Sequence, residues 1–226
     1  MEILVNKNKK ILGLVVARAG SKGVVNKNIR SFKGKPLIQW TLEAVKKSKL
    51  LSHVLVSTDS KKIINLSKKL KIDAPFVRPK KLSTEKVKIN SVIFHAIDWL
   101  KKNRSEKFEY LVLLQATSPY RTHNHIDSAI KYFFKFSTNP SETLVSVSEA
   151  PIKTGWIMKR KGRHLESVFK KNVSFRQLLP SFYMPNGAIY ICNLKTFKGS
   201  FFSKKVLSFV MKKEVSLDVD YLKDYK

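Results

Sequence analysis

The sequence predicts an α/β fold, a mostly parallel sheet with helices on both faces. Three observations carry that prediction. The runs ILGLVVA (11–17), HVLVSTD (53–59) and YLVLLQA (110–116) have strand length and are apolar enough for burial on both faces. Between them, apolar residues recur every three or four positions, the period of an amphipathic helix. Strand and helix alternate, which calls for right-handed crossovers between parallel neighbours.

Each element has a local reason. Pro36 opens a helix that runs through Lys47, with Ile38, Leu42 and Val45 on one face. After the second strand, Asp59 or Ser60 caps a helix in which Ile63, Leu66 and Leu70 repeat; Asp59 is read as the cap. Pro75 and Pro79 mark an extended connection. Residues 90–102 read as a helix with Ile93, Ala96, Ile97 and Leu100 facing the core. Thr122 caps a helix bearing Ile126, Ile130, Phe133 and Phe134. The second half is less regular. TLVSVSEA (143–150) is strand-like, and residues 151–185, with Pro151, Gly155, Gly162, Pro180 and Pro185, read as a loop-and-hairpin excursion. NGAIYIC (186–192) returns to a buried strand, and KVLSFVM (205–211) and VSLDVD (215–220) read as short strands.

The totals set bounds on function. The chain has 226 residues, 43% of them hydrophobic, enough for one α/β domain spanning 1–226. It contains no apolar run of 18 residues, so no membrane span is expected, and no apolar signal core follows the charged first ten residues. A cytoplasmic location is the expectation. The single cysteine, Cys192, lies in an apolar run and reads as a buried small hydrophobe. The formal charge of +29, from 45 basic and 16 acidic residues, raises the question of nucleic acid. The lysines are spread along the chain, largely on polar helix faces, without a nucleic-acid-binding signature, so no specific nucleic-acid role is expected. A positive field of this size still attracts anionic small molecules.

Ligands of parallel sheets bind outside the carboxyl ends of the strands. In this chain those ends lead into RAGSKGVVNKN, STDS and QATSPYR, which are expected along one rim. The first combines Gly20 and Gly23 with Arg18, Lys22 and Lys27. Backbone N–H groups in a turn and nearby cations suit a phosphate chain and a pyrophosphate leaving group. The spacing matches neither the G-x-x-x-x-G-K-[ST] loop nor the G-x-G-x-x-G fingerprint. Near the other end, SLDVD places Asp218 and Asp220 two apart, on one side of an extended segment. Paired carboxylates repel unless a cation lies between them, and Mg²⁺ is held by one or two carboxylates together with phosphate oxygens. Asp59 and Asp224 are weaker candidates. Gln115, a polar amide ending a buried strand, is placed for ligand contact. Lys153, Arg176 and Asn186 lie in the irregular half, where an anionic second substrate could be met. His123 and His125 diverge on a helix, and His53, His95 and His164 carry no pattern.

Taken together, ARAGSKGVVNKN, VSTDS, RPKKLS, LLQATSPYRT, PIKT, FRQLLP, NGAIYI and SLDVD resemble, in order and over nearly the whole chain, the acylneuraminate cytidylyltransferases, also called CMP-sialic acid synthetases. The resemblance implies a Rossmann-like fold of the nucleotide-diphospho-sugar transferase type, with a small dimerisation and sugar-site excursion at 147–185. It implies that CTP and a nonulosonic acid give CMP-sugar and pyrophosphate. By this analogy Arg18, Lys27 and Asp218 are catalytic. Ala17, Arg18, Ser21, Lys27, Asn28 and Arg78 bind the nucleotide, and Gln115, Lys153 and Arg176 meet the sugar acid. Asp218 and Asp220 hold Mg²⁺, and the enzyme is a homodimer in which Lys153 and Arg176 reach a neighbouring subunit's site.

The chain departs from the family pattern at Ala116, Tyr120 and Met184, and at Glu85 and Lys88. Two rivals remain. One is the same fold acting on another sugar acid, Kdo-like, or another nucleotide; those enzymes usually lack the S-K-G-x-x-x-K-N form of the loop. The other is a basic nucleic-acid-binding protein without turnover, whose mark would be salt-steep binding to unrelated DNA.

Overall fold

The computed structural model describes residues 9–20, 23–150, 157–168, 181–202 and 205–225. Strand β1 (Ile11–Ala17) leads through a loop and a small hairpin, β2 (Ser31–Phe32) and β3 (Lys35–Pro36), into helix α1 (Leu37–Lys47). Strand β4 (His53–Thr58), helix α2 (Lys61–Lys69), helix α3 (Ile89–Arg104), strand β5 (Tyr110–Gln115) and helix α4 (His123–Phe136) follow. Then come β6 (Thr143–Glu149), the hairpin β7 (Met158–Lys161) and β8 (His164–Ser167), β9 (Tyr183–Asn193) and β10 (Val206–Val210).

Six strands form one sheet in the order β10-β6-β9-β5-β1-β4. β1 is parallel to β4 and β5, and β10 is parallel to β6, whereas β9 runs antiparallel between β5 and β6. Successive side chains of a strand point to opposite faces. Ile11, Val15 and Ala17 therefore enter one core, with Ile38 and Leu42 of α1, Ile63 of α2 and Ile126 and Phe133 of α4. Leu12 and Leu14 enter the other, with Ile93, Ala96 and Leu100 of α3. Both faces are covered, as the uninterrupted apolar runs predict.

The helix ends settle two local questions. Ser60 caps α2, its side chain accepting from the Ile63 N–H. Asp59, read from the sequence as the cap, instead accepts the N–H of Ala19 at 2.8 Å. Thr122 caps α4 in a capping box, with His125 closing the reciprocal bond to the Thr122 N–H. His125 thus has a structural task.

Two expectations about the second half change. β9 begins at Tyr183, three residues before the predicted Asn186, and Tyr183, Met184 and Pro185 pair with Glu149, Ser148 and Val147 of β6. VSLDVD is not a strand. A single 3₁₀ turn, Lys213–Val215, precedes irregular chain that joins no sheet. The alternation of apolar and acidic residues there reflects Val219, buried with Phe32 and Leu37, and Leu217, partly buried against the same cluster. The Val219 N–H donates to the carbonyl of Thr117 at 2.9 Å. Within the excursion, the β7–β8 hairpin is exposed throughout.

Candidate functional site

Strand register builds the site. Ala17 lies opposite Thr58, and Val16 opposite Gln115, so the chain leaves β1, β4 and β5 at one level of the sheet. The three stretches after these strands share one rim, as expected of parallel neighbours. Because β9 is antiparallel, its early residues arrive at the same rim: Ile189 pairs with Leu114, which brings Gly187 and Ala188 beside Gln115. A cleft of about 430 Å³ opens here. Ala17, Arg18, Lys27 and Asn28 line one side, and Gln115, Ala116 and Thr117 the next. The remaining wall comes from residues 82–92 and from Gly199 to Phe202, with Leu113 and Tyr190 at the base.

The loop after β1 folds back on itself. Asn28 is buried, and its side-chain N–H₂ donates to the carbonyl of Arg18 at 2.9 Å. The carboxylate of Asp59 takes the Ala19 N–H. Of the two loop glycines, Gly23 has a steric reason to be glycine: a Cβ there would sit 3.0 Å from the carbonyl oxygen of Asp220. The acidic segment passes that close to the loop. Lys27 and Asp220 join them, Nζ to Oδ1 at 2.8 Å.

Arg78 is 4% exposed and braces the rim from within. It donates to Ser83 Oγ at 3.1 Å and to the carbonyls of Ser57 and Ala17 at 3.4 and 3.5 Å, with Asp59 3.7 Å away. Burial pulls its guanidinium below the ordinary arginine value, and Asp59 works against that pull. Arg18 is more open, with Nη2 3.8 Å from Glu85 on the facing wall.

The two aspartates of SLDVD occupy different environments. Asp220 is open to solvent, its side chain 56% exposed. Asp218 is half-buried, and its Oδ1 has no hydrogen-bond partner among the described residues. Burial raises its carboxyl above the usual range; a hydrogen bond from Thr117 opposes this, and the Asp220 charge adds to it. Gly187, with φ +74°, makes room for it: a Cβ there would lie 2.9 Å from Asp218 Oδ2 and 3.6 Å from Gln115 Oε1. Asp218, Gln115 and Gly187 are therefore packed at one point. No group of three or more His, Cys, Asp or Glu suited to a metal exists among the described residues, so Asp218 and Asp220 stand as a pair.

The sequence-predicted residues Ala17, Arg18, Lys27, Asn28, Arg78 and Gln115 all line the cleft. Ser21, Lys22, Lys153 and Arg176 lie outside the described residues. Asn186, considered for an anionic substrate, is buried in the sheet, accepting from Ser146 Oγ at 2.6 Å and donating to Ser216 Oγ at 3.0 Å. It ties β6, β9 and the chain before Asp218 together.

Three contributors escaped the sequence reading. Arg121 is fully buried and donates to the carbonyls of Gln115 and Ala188 at 3.0 and 2.8 Å and to Thr41 Oγ1 at 2.7 Å. Burial lowers it to about 9, which leaves it charged at neutral pH. The signal was an arginine two residues after a proline at the end of a buried strand. Gly187 could have been noticed as the glycine preceding AIYIC. Tyr225, whose hydroxyl donates to the Lys27 carbonyl at 2.6 Å, gave no signal. Tyr120, a departure from the family pattern, packs edge-on against Phe32 with ring centroids 5.8 Å apart.

The Cytidylyltransferase family model matches residues 12–154. N-acylneuraminate cytidylyltransferase of Escherichia coli O18:K1:H7 is 32% identical over 220 residues, covering 96% of this chain and 51% of that protein. This chain thus spans about half the length of that curated relative. Pseudaminic acid cytidylyltransferase of Campylobacter jejuni is 30% identical over 219 residues, covering 95% of this chain and 93% of that one. Among solved structures, CMP:2-keto-3-deoxy-manno-octonic acid synthetase complexed with CTP superposes with a TM-score of 0.65 at 13% identity, over 94% of each chain. At that identity the likeness is one of fold.

Proposed function

Since the chain belongs to the cytidylyltransferase family, with N-acylneuraminate and pseudaminic acid cytidylyltransferases among its relatives, we propose that it transfers CMP from CTP to a nonulosonic acid. The observation that carries this reading is the meeting of the cationic β1 loop and the acidic segment at the rim, through Lys27 and Asp220.

In the reaction, the anomeric hydroxyl oxygen of the sugar acid forms a bond to the α-phosphorus. The bond from that phosphorus to the bridging oxygen of the β-phosphate breaks. Pyrophosphate leaves with the electron pair, and the hydroxyl proton passes to solvent. Such transfers depend on positioning and charge neutralisation more than on covalent help from the protein. Lys27 and Arg18 present cations where the triphosphate would lie and oppose the charge that builds on the leaving group. Asn28 holds the Arg18 carbonyl and so fixes the loop. Arg78 keeps the ends of β1 and β4 in register. Gln115, aimed at the packed corner beside Gly187, is the contact proposed for the sugar acid.

The residues present fit a magnesium ion. Two carboxylates supply hard oxygen donors, one of them, Asp218, with a buried oxygen that no hydrogen bond satisfies. Asp218 and Asp220 are the proposed ligands. When bound, the cation supplies charge neutralisation at the phosphate oxygens and acidifies the attacking hydroxyl.

A homodimer is part of the proposal. The β7–β8 hairpin and its flanks leave the apolar side chains Ile157, Met158, Leu165 and Val168 exposed, Ile157 and Val168 on one face and Met158 and Leu165 on the other, which a second copy could cover. We also propose a cytoplasmic enzyme, where CTP is available; among the described residues no helix is long and apolar enough to cross a membrane.

The deciding experiment is pyrophosphate release from CTP and Mg²⁺ across a panel of sialic, legionaminic, pseudaminic and Kdo-type acids. Turnover with a nine-carbon acid is expected. Turnover with Kdo alone, or with a nucleotide other than CTP, would overturn the substrate assignment.

A further inference from the structure

Outside the roles assigned above, Tyr225 makes a contact that bears on the reaction. Its hydroxyl donates to the Lys27 carbonyl at 2.6 Å. Its ring meets Phe32 edge-on at 6.0 Å between centroids, and the Arg30 guanidinium lies 5.6 Å from its centroid. The turn that carries it is tied to Asp220. The Asp224 carboxylate accepts the N–H groups of Asp220 and Tyr221 at 2.9 and 2.7 Å. One turn therefore grips Lys27 twice, the ammonium through Asp220 and the main chain through Tyr225.

The two grips are not equivalent once a ligand arrives. A lysine ammonium is a point charge on a flexible four-carbon stem. A bound triphosphate competes with Asp220 for that ammonium, whereas nothing in the proposed reaction competes for the Lys27 carbonyl. The hydroxyl contact survives the exchange and keeps the base of the stem in place.

We propose that Tyr225 is a positioning residue, fixing the Lys27 backbone so that the ammonium stays aimed into the cleft after Asp220 releases it. The inference rests on the nucleotidyl-transfer reading above. Tyr225→Phe isolates it, because the phenyl ring keeps the contacts with Phe32 and Arg30 and only the donor is lost.

Three measurements test it on the full chain. Amide hydrogen exchange is expected to quicken at least about fivefold at Lys27, Ile29 and Arg30 in Tyr225→Phe and to stay unchanged in β1 and β5. In CTP-dependent pyrophosphate release, kcat is expected to fall about tenfold while KM for the sugar acid stays within about twofold. In a Lys27→Ala background, adding Tyr225→Phe is expected to cost nothing further, because its effect runs through Lys27. Unchanged exchange at residues 27–30, or multiplicative losses in the double variant, would overturn the Tyr225 assignment. A wild-type protein that turns over no nucleotide with any sugar acid would instead overturn the reaction itself and with it the catalytic consequence, so the two failures are distinguishable.

Discussion

Lys27 and Asp220 stand 193 positions apart in the chain and 2.8 Å apart in space, joined by an ion pair at the rim of the sheet. Lys27 is the more buried partner, its side chain 14% exposed against 56% for Asp220. Without a ligand, the cation proposed for the triphosphate and the anion proposed for the metal neutralise each other.

That arrangement makes Asp220 a competitor of metal-free nucleotide. Exposed ion pairs are weak, at about 0.2–1 kcal/mol, so Asp220→Asn is expected to tighten metal-free CTP binding by a factor of about 1.4 to 5. Calorimetry in the presence of a chelator reads this directly. Weaker binding by the variant would mean that the pair helps to build the nucleotide site.

Lys27→Ala removes the cation itself. Loss of one preorganised charge-stabilising group commonly costs about 10²–10³ in rate. A fall in kcat of that size is expected, with unchanged circular dichroism, since the side chain sits at the rim and outside both cores. A near-normal kcat would remove Lys27 from the reaction.

Gly187→Ala tests the corner shared with Asp218 and Gln115. Its φ of +74° disfavours any side chain, and the new Cβ would meet a carboxylate oxygen at 2.9 Å. A destabilisation of about 1–3 kcal/mol is expected in urea unfolding, together with a larger loss of turnover than of stability at the assay temperature. Full activity in the variant would show that Asp218 can shift without consequence.

Arg121→Met is expected to cost about 3 kcal/mol or more, because the carbonyls of Gln115 and Ala188 and the hydroxyl of Thr41 lose their donor inside the protein. Arg121→Lys is expected to recover little, since an ammonium cannot reproduce the planar fork. Denaturant midpoints check both. If lysine restores stability, charge alone is what the site needs.

Two histidines set a pH dependence. Burial lowers His95, and the Arg78 charge adds to the shift; burial lowers His125 too, with Arg121 acting in the same direction. Below the ordinary value of 6.5 the unfolded chain takes up protons that the folded chain refuses. Stability is therefore full above that pH and declines as the pH falls through it toward the lowered values. His95→Leu with His125→Gln, which keeps a capping side chain, is expected to flatten unfolding midpoints between about pH 7 and 5. An unchanged slope would exclude both residues as its source.

The strands were legible because burial on two faces leaves an uninterrupted apolar run, as in Ile11–Ala17 and Tyr110–Gln115. The helices were legible through their apolar spacing and, for α4, through Thr122. The cap of α2 was ambiguous because Asp59 and Ser60 are equally good acceptors locally. A distant N–H, that of Ala19, decided which one was free to cap. VSLDVD mimicked a strand because alternation does not reveal whether a neighbouring strand has an edge to offer.

Taken alone, the sequence determined the alternating order of elements, the rim on which the three glycine, aspartate and glutamine stretches emerge, and the placing of Arg18, Lys27, Asp218 and Asp220 in the stretches from which their proposed roles are argued. Those follow from period, from the topology of parallel crossovers and from residue type, all of which act over a few positions. Only the tertiary structure decided that β9 runs antiparallel and brings Gly187 under Asp218, that Arg121 ties the end of β5 to the middle of β9, and that Tyr225 grips Lys27. Each of these depends on contacts between segments tens to nearly two hundred positions apart, where partner choice is set by packing of the whole sheet and leaves no periodic trace in the chain.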